Sequence, residues 1–210
     1  MHFMVVLKTR QALSKPILLE SFSKCATPSP RNFGMATPET RRRPNVLITG
    51  SPGTGKTTLA SQLAERLGFD LISVGDEVKN HHLYSEYDEE YQSHVLDEEK
   101  LLDHIEGRLD SESGGTVVEY HGCDFFPERW FDFVIVLRCD NTLLYDRLAA
   151  RGYPDRKIRE NIECEIFGSL LQEAQESYPE ERIHALKSES IEEMNKNLDH
   201  ISELIAAWKN

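Results

Sequence analysis

From Pro44 onward, short apolar runs alternate with amphipathic stretches. Val46-Leu47-Ile48 has the length of a buried strand, and beyond a glycine-rich break Leu59, Leu63 and Leu67 recur every four residues. With Ala60 and Ala64 beside them, those leucines mark one face of a helix. Gly68 ends it, and Phe69 to Val74 reads as a second strand. Gly75-Asp76 opens a short helix, followed by an acidic, aromatic stretch from Leu83 to Asp97. Asp97-Glu98-Glu99 starts a helix with Leu101, Leu102, Ile105 and Leu109 on its inner side, since acids favour a helix N-terminus. Gly114-Gly115 turns into a strand over Thr116 to Tyr120, and Phe133 to Leu137 is a further buried strand. Asp140 or Asn141 caps a helix carrying Leu143, Leu144 and Leu148. One helix is predicted over about Asp155 to Ser177, then a strand over Arg182 to Leu186. Ser190 and Glu193 have capping-box spacing before a helix with Met194, Leu198, Ile201, Leu204 and Trp208. Strands separated by helices require right-handed crossovers. The expectation is an α/β domain, a mainly parallel five-stranded sheet with helices on both faces.

A chain of 210 residues is one domain, or one domain with a tail. Its net charge is −12. Residues 1–34 hold one acid, Glu20, against five bases, Lys8, Arg10, Lys15, Lys24 and Arg31, a net of +4 that leaves −16 for the rest. An acidic body repels a phosphate backbone, so extended nucleic-acid binding is not expected. Cys25, Cys123, Cys139 and Cys164 show no C-x-x-C spacing, which fits a reducing compartment. No apolar run approaches the length of a membrane span. The basic, acid-poor start resembles an organellar transit peptide. A disordered leader, or an upstream start ahead of Met35, weighs more, and residues 1–43 are set apart on that basis. Arg41-Arg42-Arg43 reads as a weak nuclear signal or a solvated lead-in.

The glycine-rich break carries the chemistry. Gly50-Ser51-Pro52-Gly53-Thr54-Gly55-Lys56-Thr57 fits G-x-x-x-x-G-K-[ST] at every defined position, between a strand and a helix. In that context the motif is a phosphate-binding loop. Gly53 and Gly55 let backbone N–H groups turn inward on a polyphosphate. The helix behind adds its positive end. Lys56 would reach the outer phosphates with Thr58, and the Thr57 hydroxyl would ligate Mg2+. Glu119, closing the strand Thr116-Val117-Val118, is the carboxylate candidate for that magnesium. His121 lies two residues on, hence on the same side of an extended chain, placed to orient or deprotonate a water. Arg147 and Arg151, four apart on one helix beside the breaker Gly152-Tyr153-Pro154, suit phosphate clamping. The segment of about 150–160 would be a lid excluding water.

The segment Glu119-Tyr120-His121-Gly122-Cys123-Asp124-Phe125-Phe126-Pro127-Glu128-Arg129-Trp130-Phe131 closely resembles the signature of the adenylate kinase isoenzyme 6 family, the coilin-interacting nuclear ATPases. Tyr87-Asp88-Glu89-Glu90-Tyr91, Leu144 to Leu148, Arg151-Gly152-Tyr153 and Asn161 to Phe167 are similar to that family too. The resemblance runs from about Pro44 to Trp208. It implies a P-loop NTPase of nucleoside monophosphate kinase type, with an AMP-side insertion at about 73–96 and the lid at about 150–160. The implied reaction is ATP + AMP to two ADP with Mg2+, alongside a slower ATPase activity. It also implies a role in small ribosomal subunit maturation through a small-subunit ribosomal protein, in nucleus and cytoplasm. A monomer is expected. Gly75-Asp76 matches the Gly-Asp opening the AMP-side helix of adenylate kinases, and Arg129 resembles their AMP-phosphate arginine. Two positions depart from the pattern. The family carries Asp where this chain has Glu119, and adenylate kinases carry Arg where this chain has Lys79. Lysine keeps the charge but loses the bidentate fork, so weaker AMP binding is expected.

Three readings follow. The first is an adenylate kinase. The second is an ATP-hydrolysing assembly factor whose acidic stretch, Asp88 to Glu99, meets a basic partner. The third is a small-metabolite kinase of shikimate or gluconate type, which the loop allows and the segment after Glu119 opposes. The adenine side of the site is marked only by position, at Lys187 after the last strand.

Overall fold

The computed structural model describes residues 5–6, 40–88 and 93–208. Its strands are β1 (Val5–Val6), β2 (Val46–Gly50), β3 (Asp70–Ser73), β4 (Tyr84–Asp88), β5 (Ser93–Leu96), β6 (Thr116–Glu119), β7 (Phe133–Arg138) and β8 (Ile183–Lys187). Its helices are α1 (Lys56–Leu67), α2 (Val74–His81), α3 (Glu98–Leu109), α4 (Asn141–Ala150), α5 (Asp155–Phe167), α6 (Ser169–Ser177) and α7 (Ile191–Ala207). The main sheet has the order β3-β6-β2-β7-β8, every pair parallel. A small second sheet, β1-β5-β4, joins part of the acidic stretch to Val5–Val6.

Alternation along the strands sorts the core into two layers, as the period-two geometry of a strand requires. Leu47, Val118, Val134 and Val136 face one side, against Val78, Leu101, Ile105 and Leu109 of α2 and α3 and the aromatics Phe126, Trp130 and Phe131. Val46, Ile48, Val117, Ile135 and Leu137 face the other, against Leu59, Leu63, Leu198 and Ile201 of α1 and α7. A third cluster, Cys139, Leu144, Leu148 and Ile158, joins α4 to α5. The caps follow the sequence. Asp140 accepts from the N–H groups of Thr142 and Leu143, and Ser190 accepts from that of Glu193.

Three expectations change. The helix predicted over Asp155 to Ser177 is two helices, because Gly168 adopts the left-handed conformation (φ 67) and its N–H caps α5 on Cys164 and Glu165. The second strand is shorter than Phe69 to Val74, since Val74 already begins α2. The boundary at residue 43 moves back. Arg41, read as a solvated lead-in, is 1 % exposed. It pairs with the buried Asp132 at 2.7 Å and donates to the carbonyls of Trp130 and Arg129. Arg43 lies over the Phe69 ring, and the Arg42 N–H bonds Glu112 O. The rest of the leader, residues 1–4 and 7–39, lies outside the described residues.

Candidate active site

In an open parallel sheet, ligands bind beyond the carboxyl ends of the strands, where the order reverses. Here the chain leaves central β2 for one side of the sheet and later returns to the other. The loop at Gly50 to Gly55 sits at that point. Gly53 has φ 96, and a Cβ there would stand 2.9 Å from Leu144 Cδ1, so both conformation and space call for glycine. Gly55, also left-handed, precedes α1. The loop is tied by Thr54 Oγ1, which donates to Ser51 O at 2.9 Å, and by Lys56 Nζ, which donates to the same carbonyl at 3.1 Å.

Lys56 is 9 % exposed. Burial pushes its pKa from 10.5 down to about 8; Glu119 opposes the fall, Arg151 adds to it, and Glu165 opposes it again. The sequence-predicted groups Lys56, Glu119 and Arg151 therefore share one electrostatic environment. Thr57 and Thr58 lie exposed in the first turn of α1. Glu119 closes β6 opposite Ile48 of β2, and one of its oxygens accepts from Ser73 Oγ at 2.9 Å. A nearly buried carboxylate and an exposed hydroxyl are all-oxygen donors, the set a hard cation such as Mg2+ takes, so Thr57 and Glu119 fit that ion.

His121 follows Glu119, its ring against Tyr120 at 4.2 Å between centroids. Burial lowers its pKa to about 3, with Lys56 and then Lys157 adding to the fall. An imidazole in that state orients a neighbour but does not take up a proton near neutrality. Lys157, from the first turn of α5, is a cation on this side of the site that sequence reasoning missed.

Arg147 and Arg151 part company. Arg151 ends α4, is exposed, and among the described residues its guanidinium makes no hydrogen bond. Arg147 donates to Gly53 O at 3.2 Å, Ser188 O at 2.9 Å and Glu189 O at 2.7 Å. It is a strut between the phosphate loop and the turn after β8, where sequence reasoning placed a phosphate clamp.

Of the AMP-side residues, Asp76 and Lys79 are exposed on α2, the helix whose preceding residue, Ser73, holds Glu119. Lys79 stands about 9 Å along the axis from Ser73 at 1.5 Å per residue. Arg129 does not belong with them. It precedes β7, at the opposite end of the parallel strands from the loop, pairs with Asp110 at 2.9 Å and stacks on Trp130. Its assignment to an AMP phosphate is corrected by topology, because a five-residue strand separates the two sheet edges by more than 10 Å.

Sequence reasoning also missed Glu165. It is 3 % exposed and accepts from Ser51 Oγ at 2.6 Å, Arg138 Nε at 2.5 Å and the Cys139 N–H at 3.1 Å, buttressing the loop from α5. No spacing rule links residues 114 apart. Beside the loop is a cavity of about 380 Å³ lined by Gly53, Gly55, Arg151, Ser188, Ile191 and Met194 among others. Lys187, the positional choice for that edge, is exposed and absent from its lining. Ile191, 76 % exposed, presents bare apolar surface there.

Parallel sheet, phosphate loop and buried lysine define a P-loop nucleotide-binding fold. The family described as "AAA domain" matches residues 46–168. A shikimate kinase from Acinetobacter baumannii, solved with shikimate, superposes with a TM-score of 0.55 at 18% identity, covering 81% of this chain and 97% of that one. At that identity the likeness is one of fold. The chain is 63% identical over 176 residues to an adenylate kinase isoenzyme 6 homolog of Caenorhabditis elegans, covering 84% of this chain and 97% of that protein. It is 46% identical over 175 residues to one of Drosophila melanogaster, covering 83% and 99%. The chain belongs to the adenylate kinase isoenzyme 6 family.

Proposed function

We propose that this chain transfers the γ-phosphate of ATP to AMP, giving two ADP. The observation that carries the reading is Lys56 buried at the phosphate loop under the influence of Glu119 and Arg151, with exposed Arg151 lining the same cavity as Gly53 and Gly55 and α2 starting from Ser73 on the Glu119 side. The names of the relatives agree with it. An ionised AMP phosphate oxygen attacks the γ-phosphorus, the bond to the β–γ bridging oxygen breaks, and ADP leaves with that electron pair. No proton has to be removed, so positioning and charge neutralisation suffice. Lys56 and Arg151 would balance the charge on the transferred group, and neutral His121 would orient rather than deprotonate. Mg2+ held at Thr57 and Glu119 would supply further charge neutralisation when bound with ATP. The cavity by Ser188, Ile191 and Met194 would take the adenine, with Asp76 and Lys79 on the acceptor side.

Slower ATP hydrolysis, action in small ribosomal subunit maturation through a small-subunit ribosomal protein, and a nuclear and cytoplasmic location belong to the same proposal. Their support is the resemblance of the segment from Glu119 to Phe131. Product analysis with ATP plus AMP against ATP alone tests the reaction. ADP formed at twice the AMP consumed is expected; ADP with free phosphate and no loss of AMP would overturn it in favour of hydrolysis as the main output.

A further inference from the structure

Away from the nucleotide loop, α2 and α3 meet across three groups that the proposed reaction does not use. Glu77 and His81 are four apart on α2, so they share a face. His104 comes from α3. Both imidazoles aim at one carboxylate oxygen: His81 Nε2 is 3.4 Å and His104 Nε2 3.0 Å from Glu77 Oε2. One donor atom from each residue lies within 4.8 Å of the others. The two rings stand 4.3 Å apart between centroids.

These distances match an edge of a coordination tetrahedron. With metal–nitrogen and metal–oxygen bonds near 2.1 Å, neighbouring ligand atoms are about 3.4 Å apart. The carboxylate is already oriented. Its other oxygen accepts from Arg108 Nη1 at 2.8 Å, while Arg108 Nη2 donates to Leu71 O at 3.1 Å. That leaves Oε2 to the histidines, the outer-shell arrangement that fixes a ligating carboxylate. His81 ends α2, where the helix dipole favours a cation. Both histidines are partly open to solvent, with side-chain exposures of 52 % and 32 %, so water can complete the set.

We propose that Glu77, His81 and His104 form a binding site for a late first-row divalent transition metal, Zn2+ being the probe, which cross-links α2 to α3. Two imidazoles and one carboxylate suit zinc and disfavour Mg2+, which prefers oxygen alone. The site is separate from the magnesium position at Thr57 and Glu119, and its test does not depend on the reaction proposed above.

The experiment is a Zn2+ titration of the nucleotide-free full chain against a chelating dye, in excess Mg2+. A Cys25→Ser, Cys164→Ser background removes the thiol exposed among the described residues and the one that lies outside them. One equivalent should bind, and saturating zinc should raise the melting temperature by about 5 °C or more at a hundredfold excess over Kd. His81→Gln and His104→Gln, tested singly, should each weaken binding at least about tenfold, by analogy with the cost of losing even outer-shell support. Both positions are solvent-facing, and the zinc-free melting temperature of each variant reports whether its fold is intact. Absence of stoichiometric binding tighter than about 100 µM, or unchanged binding in both variants, would overturn the proposal.

Discussion

Replacing Lys56 by methionine separates what the lysine does for the fold from what it does for the reaction. In the folded chain the ammonium is buried and its pKa is pushed from 10.5 to about 8. In the unfolded chain it keeps its proton to about 10.5. Between those values the unfolded state binds more protons, so the stability of the native sequence rises with pH across that window. Below pH 8 both states are protonated and the whole burial penalty stands, about 3 kcal/mol from the fall in pKa. Methionine removes that penalty and forfeits the charged bond from Nζ to Ser51 O, worth about 2 kcal/mol. The net is a variant about 1 kcal/mol more stable at pH 7, or about 2–4 °C in melting temperature for a chain of this size. Transfer should fall about 10²–10³-fold, the usual cost of losing one preorganised donor to developing charge. Thermal unfolding without nucleotide, from pH 7 to 10.5, reads the first effect, and kcat/KM reads the second. The stability gap should close as pH rises. A variant that melts at or below the native sequence at pH 7, or a gap that ignores pH, would refute the buried-charge reasoning. Activity within threefold would remove Lys56 from the mechanism.

Three further outcomes are expected. Because kcat/KM reports the free enzyme, it should decline above about pH 8 as Lys56 loses its proton, with no inflection near 6.5 from His121, whose pKa is about 3. An inflection near 6.5 that disappears in His121→Asn would contradict this. Glu165→Ala strips acceptors from Ser51, Arg138 and the Cys139 N–H. It should cost about 3 kcal/mol in denaturant unfolding and raise the KM for ATP, with Glu165→Gln milder on both counts. Arg129→Ala should leave the KM for AMP within twofold while costing up to about 1 kcal/mol through the lost pairs with Asp110 and Glu106; a tenfold rise in that KM would restore Arg129 to the acceptor site.

The misreadings of the arginines have a common physical origin. Nothing in the sequence next to Arg41, Arg129, Arg147 or Arg151 tells a cation with a partner inside the fold from one that faces a ligand. Their fates depend on what the fold sets opposite each. Arg41 meets Asp132 in the core, and Arg129 meets Asp110 at the far edge of the sheet. Both Arg147 and Arg151 line the loop cavity, but Arg147 is bound to three backbone carbonyls while the Arg151 guanidinium makes no hydrogen bond among the described residues. Only the alternation of strands and helices could have warned that Arg129, just before a strand, belongs to the opposite edge from Glu119, just at the end of one.

Local pattern alone determined the five strands of the main sheet, the helices apart from the break at Gly168, the caps at Asp140 and Ser190, and the phosphate loop, because each rests on periodicity or spacing within a few residues; the short strands β4 and β5 in the acidic stretch carried no such signal. The same local reading placed Glu119 and His121 beside that loop, since both follow directly from a strand end. Tertiary structure decided the rest. It brought Ser73 to Glu119 and Glu165 to Ser51, set Gly168 as a break between helices, and gave the cavity beside the loop its walls. It also met His104 with Glu77 and His81. These contacts join residues far apart in the chain through the order of strands in the sheet, and no local spacing encodes that order.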